Sequence, residues 1–223
     1  MKTLGRFLTV VTIGVFASAL AFGQSSALTF RGLDHNRSVN VARTRGIQSS
    51  TDAISNANLN NYYIGYDFVM SRKLVGEDDN SKCLSRLTIL WDELEGQPEA
   101  AQVETLMRMV VRGIGTEQDR TAKLEAAQVA VELRLKGEQK WYYALGKSYT
   151  KLSFDLETKD SNVIRARMVE LGKLGQSAPT TVPPAFAAAL VKIGVYAAKS
   201  SLSDDDVAVV TAQFETIDKI LTA

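Results

Sequence analysis

One cysteine, one histidine and four prolines are all that the 223 residues contain of those types. A single cysteine excludes a disulfide within the chain. One cysteine and one histidine exclude a zinc site built from those ligands. Cys83 lies in the apolar-periodic run CLSRLTILWDEL and reads as a small core residue. His35 sits far away in the polar stretch HNRSVNVARTRG. A Cys–His or Ser–His–acid centre would depend on His35 alone, and no G-x-S-x-G motif supports one. No excess charge of one sign is present: 26 basic against 25 acidic residues give +1. That balance offers no general electrostatic case for nucleic acid or an anionic membrane surface. Phosphate loops are missing too. Gly113-Ile114-Gly115 follows a predicted helix, not a strand, and has neither a third glycine nor a Lys-Ser/Thr pair.

What is present begins with an address. Residues 1–23, MKTLGRFLTVVTIGVFASALAFG, carry Lys2 and Arg6, then an apolar run of about fifteen residues, then Ala19, Ala21 and Gly23. This is the layout of a cleavable secretory signal peptide, and the run is short for a membrane span of ~20 residues. The preferred cut follows Gly23, with Ala21 nearly as good. It removes Lys2 and Arg6 and leaves a net charge of about −1. The expected destination is periplasmic or extracellular, with no stable membrane insertion after cleavage. Residues 24–51 contain Arg31, Arg37, Arg43 and Arg45 opposed by Asp34, and read as a flexible basic lead-in.

The signal from residue 52 to 223 is helical throughout. Eight amphipathic segments are expected, with apolar residues at steps of three and four. Their stripes are Tyr63, Tyr66, Met70 and Leu74; Leu84, Leu87, Trp91 and Leu94; Val103, Met107, Val110 and Ile114; Leu124, Gln128 or Ala127, Val131 and Leu135. They continue as Tyr142, Leu145, Tyr149, Leu152 and Leu156; Ile164, Met168, Leu171 and Leu174; Phe186, Leu190, Ile193 and Ala197; Val207, Val210, Phe214, Ile217 and Leu221. Pro98 and Pro183–Pro184 suit helix starts. Thr116 and Ser203 precede acids at cap spacing. Gly76, Gly96, Gly113, Gly115, Gly137 and Gly175 fall near the ends. The fold class is therefore all-α, a bundle or an array of helical hairpins.

The two parts of this region, 52–137 and 138–223, echo each other. Each opens on a tyrosine-rich helix, passes an Asp/Asn/Ser cluster, adds a helix begun by proline and ends with a capped acidic start. The offset drifts from about 80 to 87 residues, as two copies of a four-helix unit would give after divergence.

The candidate ligand or partner surface is the aromatic set Tyr63, Tyr66, Trp141, Tyr142 and Tyr149 on the two tyrosine-rich helices. YYALGKSY is similar in spacing to the start of a tetratricopeptide repeat, over eight residues. Thr158 and Asn162 stand where that pattern wants an alanine and an aromatic, and no 34-residue copies recur, so the family is not assigned. The acidic runs Glu77-Asp78-Asp79 and Asp204-Asp205-Asp206 lack the glycine and distal glutamate of a calcium loop and read as helix starts. No catalytic set, metal set or cofactor motif emerges. Function is expected in a non-catalytic interaction or structural module whose partner is another protein, with oligomerisation left open. The alternatives are a carrier of apolar small ligands with a pocket between the tyrosine-rich helices and, less favoured, a carboxylate-dependent enzyme.

Overall fold

The computed structural model describes residues 54–75, 79–158, 160–200 and 202–221, without the side chains of 156–158. The signal segment and the whole of the basic lead-in, with His35, lie outside the described residues. Eight helices and no strand occupy the described residues: α1 Asn56–Val75, α2 Asn80–Glu93, α3 Ala100–Arg112, α4 Glu117–Arg134, α5 Gly137–Thr158, α6 Ser161–Gln176, α7 Pro184–Ala197 and α8 Asp204–Leu221. The all-helical expectation holds.

Local chemistry places the starts. Asp79 and Asp160, 81 positions apart, each accept hydrogen bonds from the backbone N–H groups two and three residues on, capping α2 and α6. Thr116 and Asp119 close a reciprocal capping box on α4. Ser203 and Asp206 do the same for α8: the Asp206 N–H donates to Ser203 Oγ at 3.2 Å and the Ser203 N–H to Asp206 Oδ2 at 3.1 Å. Pro184 occupies the first position of α7, where its missing N–H leaves no acceptor unpaired. Gly113 ends α3 in the left-handed conformation, with φ 62°.

In each half, helices that follow one another in sequence pack together. α1 packs on α2, α2 on α3 and α3 on α4; α5 packs on α6, α6 on α7 and α7 on α8. α1 and α5 lie against each other as the central pair. A Cβ at Gly65 of α1 would overlap the Tyr143 carbonyl of α5, and one at Gly146 of α5 would overlap the Tyr62 carbonyl of α1. The crossing is reciprocal: the two glycines are 81 positions apart, and so are the two tyrosines whose carbonyls they meet. Only glycine lets two helix backbones approach this closely. A second such crossing sets Gly172 of α6 on Gly194 of α7.

Two apolar cores result. The first holds Ile64, Phe68, Cys83, Leu87, Leu90, Val103, Leu106, Val110, Leu124 and Val131 from α1–α4, together with Tyr143 from α5. The second holds Leu145, Tyr149, Leu152, Ile164, Met168, Phe186, Leu190, Val210, Phe214 and Ile217 from α5–α8, together with Tyr62 and Tyr63 from α1. Tyr62 and Tyr143 are again 81 apart, so the halves exchange tyrosines: Tyr62, with Tyr63 beside it, enters the second core and Tyr143 enters the first. Burying each such ring contributes about 1.5–3 kcal/mol in the manner of a large apolar side chain.

The predicted stripes of α4, α7 and α8 are the buried ones. Those of α1, α2 and α3 shift. α2 buries Cys83, Leu87, Leu90 and Leu94 and leaves Trp91 38% exposed; α3 buries Leu106, while Ile114 is exposed. α1 buries residues on almost every side, because it faces α2, α4 and α5 at once.

Candidate functional site

Four of the five aromatic residues singled out in the sequence are interior. Tyr142 is fully buried, and Tyr63, Trp141 and Tyr149 nearly so. Trp141 Nε1 donates to the Leu174 carbonyl at 2.9 Å, and its ring meets Tyr142 edge-on at 4.9 Å. The Tyr149 hydroxyl donates to Asp218 Oδ1 at 2.9 Å. Tyr63 sits edge-on to Tyr62, with centroids 5.3 Å apart. Tyr66 is half-buried, with the Arg86 guanidinium 5.7 Å from its ring centroid. Burial pushes the Tyr62, Tyr142 and Tyr149 phenols well up, and nearby carboxylates add to the shift. The rings are therefore neutral packing groups at neutral pH, held at a closed α1–α5 seam.

The accessible concave surface lies elsewhere, along α4. One groove of about 830 Å³ is lined by Val69, Arg72 and Lys73 of α1, Glu117, Glu125, Gln128 and Val129 of α4, and Lys151 and Phe154 of α5. A second, of about 350 Å³, is lined by Val129, Glu132 and Leu133 of α4, by Lys140, Tyr143, Ala144, Lys147, Ser148 and Lys151 of α5, and by Glu170 of α6. Val129 and Lys151 line both.

α4 reaches this position because it carries two apolar stripes. The first, Leu124, Ala127, Val131 and Leu135, is buried in the core. The second, Ala122, Ala126, Val129 and Leu133, runs at steps of four, three and four and is exposed. Val129 is 54% and Leu133 78% exposed. A helix of a soluble domain ordinarily turns charged or polar residues to that side.

Charge around the grooves is mostly paired. Lys147 donates to Glu132, which also accepts from Gln128 and from the Tyr143 hydroxyl. Burial alone would raise the Glu132 carboxyl, but the hydrogen bonds from Lys147 and Gln128 hold it below the ordinary glutamate value. Arg72 pairs with Glu125. Arg167 bridges Asp155 and Glu170, and Ser148 donates to Glu170. Lys73 lies 4.4 Å from the centroid of the Phe154 ring.

Cys83 is buried in the first core, and burial raises its thiol despite an opposing contribution from Arg120. Among the described residues no group of three His, Cys, Asp or Glu side chains is placed to hold a metal ion. No helix among them is long and apolar enough to cross a membrane.

Val129, Leu133 and Lys151 were not singled out in the sequence. The signal for the first two was present: Ala122, Ala126, Val129 and Leu133 form a second run at helical spacing beside the stripe chosen for the core. Lys151 had no such signal, because its setting is made by α1, α4 and α6. Compared with family models, curated proteins and solved structures, the chain matches none.

Proposed function

We propose that this chain is exported by its N-terminal segment and serves as a non-catalytic interaction module of the cell envelope or extracellular space. Its docking face is the outer side of α4, and its partner is another protein that presents an apolar helical segment. The observation that carries this reading is the exposed stripe ending in Val129 and Leu133 beside the two grooves. Apolar residues in a contiguous exposed row, flanked by charged groups, are the composition of a surface that another molecule covers. The 3–4 spacing on α4 matches the anchors of a helix laid alongside it.

The tyrosine-rich helices take the supporting part. They fix α5 against α1 and so hold both walls of the groove. The reading of a small-ligand carrier between those helices is not favoured by their close backbone crossing at Gly65 and Gly146.

The test is recovery of the tagged mature chain from the envelope and culture fluid of its host. The wild-type chain should carry a stoichiometric protein companion. Val129→Glu with Leu133→Glu should lose it while keeping the same helical dichroism. A companion unchanged by these substitutions, or a wild-type chain isolated alone, would refute the docking face.

A further inference from the structure

Lys151 stands on α5 where the two grooves meet. It is half-buried, and among the described residues its ammonium makes no ion pair and no hydrogen bond. Three of its cationic neighbours are already engaged, while Lys140, in the second groove, is exposed. Lys147 is held by Glu132, Arg167 by Asp155 and Glu170, and Arg72 by Glu125. Glu170 and Asp155 are near enough to act on Lys151, yet both are occupied by Arg167. Burial lowers the Lys151 ammonium from its ordinary value, and the positive charges of Lys147 and Arg167 push the same way.

A partly desolvated cation whose nearby carboxylates are bound to another cation is costly, and an anion entering the groove would relieve that cost. The geometry points to Lys151 as the anchor for a carboxylate carried on an apolar body, namely an acidic side chain of the docking helix. This deepens the docking proposal and rests on it. Apolar walls flank the ammonium: Val69 and Phe154 on one side, Leu133 and Ala144 on the other, with Val129 between them. A single half-buried ammonium suits a monoanion. A phosphate dianion wants several donors or a bidentate guanidinium, and Glu117, Glu125 and Glu170 in the groove walls would repel it.

The experiment uses the full mature chain with its lysine amines reductively ¹³C-methylated, which preserves their charge. Octanoate is titrated as the probe, with octylammonium and octanol as controls. The Lys151 signal is identified by its loss in Lys151→Gln. It should move saturably with octanoate and stay in place with octylammonium. Lys151→Gln should weaken octanoate binding about tenfold, the low end for a hydrogen bond to a charged group. Lys151→Arg, which keeps the charge, should retain binding within about threefold, equivalent to under 1 kcal/mol. Equal melting temperatures of the two variants would show that both fold.

An unmoved Lys151 signal, octanol binding as tightly as octanoate, or unchanged octanoate affinity in Lys151→Gln would overturn the assignment. The two proposals fail separately. If Val129→Glu with Leu133→Glu leaves the companion bound, the docking face is wrong whatever octanoate does. If that companion is lost but Lys151 ignores octanoate, only the anchor is wrong.

Discussion

The two halves of the molecule keep the same inside and differ on the outside. Asp79 and Asp160 cap equivalent helices, Gly65 and Gly146 cross reciprocally, and Tyr62 and Tyr143 exchange cores, all at a separation of 81 residues. The separation grows to 86 between α4 and α8, where Leu124, Val131 and Leu135 correspond to Val210, Ile217 and Leu221. The extra residues fall in the connections, which tolerate added length at small entropic cost. On the outer face of the last helix the halves part. Ala122, Ala126, Val129 and Leu133 of α4 stand where α8 has Ala208, Ala212, Glu215 and Lys219. Packing holds the interior positions to one pattern, whereas nothing inside the domain requires two exposed aliphatics on α4. The difference between the halves falls on the face that we propose a partner covers.

The comparison breaks most readily at its buried charges. Asp67 is fully buried and receives a 2.7 Å hydrogen bond from Arg86; Arg167, 81 positions on, binds Asp155 and Glu170 nearer to solvent. Arg86→Ala removes the ion-pair partner of a buried carboxylate and should cost about 3–5 kcal/mol in urea unfolding. Arg167→Ala should cost about 1 kcal/mol, because its partners regain water. Equal losses would mean the two sites are equivalent after all.

Next come the glycines. Gly65→Ala and Gly146→Ala each push a methyl group into a backbone carbonyl and should each cost about 1–3 kcal/mol or more. They act on one seam, so the double variant should lose less than the sum of the singles. Strict additivity would argue against a shared crossing.

Smaller effects separate the buried phenols. Tyr149→Phe removes the bond to Asp218 and should cost about 1 kcal/mol. The Tyr62 hydroxyl is buried with no hydrogen-bond partner among the described residues, and Tyr62→Phe should be neutral or slightly stabilising in thermal unfolding.

Smallest of all is the acid response of the two capping boxes. Hydrogen bonds from Thr116 lower the Asp119 carboxyl; those from Lys199 and then Ser203 lower Asp206. A depressed folded-state value means stability that is present above the ordinary aspartate value of 3.8 and lost as pH falls through the lower folded one. Asp119→Asn and Asp206→Asn should each flatten the decline of melting temperature with acid by a similar small amount. A large inequality would show that one cap matters to its half far more than the other.

Much of the architecture was legible in the sequence. Caps are local, so Thr116 and Ser203 announced the starts of α4 and α8. Single-faced helices such as α7 and α8 announced their buried stripes. α2 was misread by one position because Leu84 and Trp91 also lie at helical spacing beside Cys83 and Leu90. α1 was illegible because it is enclosed by three helices and buries Asn61, Asp67 and Ser71, polar residues that periodicity assigns to solvent. For the same reason, richness in tyrosine pointed to a surface and instead marked the central seam. The groove depends on which helices come together, and no spacing within α5 distinguishes Lys151 from the lysines around it.

The most direct test of the docking face is site-specific photocrosslinking in the host, with a benzophenone side chain at position 133 or at its counterpart 219. A discrete crosslinked protein from position 133, with none from 219, is the predicted result. Equal crosslinking from both positions, or none from 133, would contradict the account.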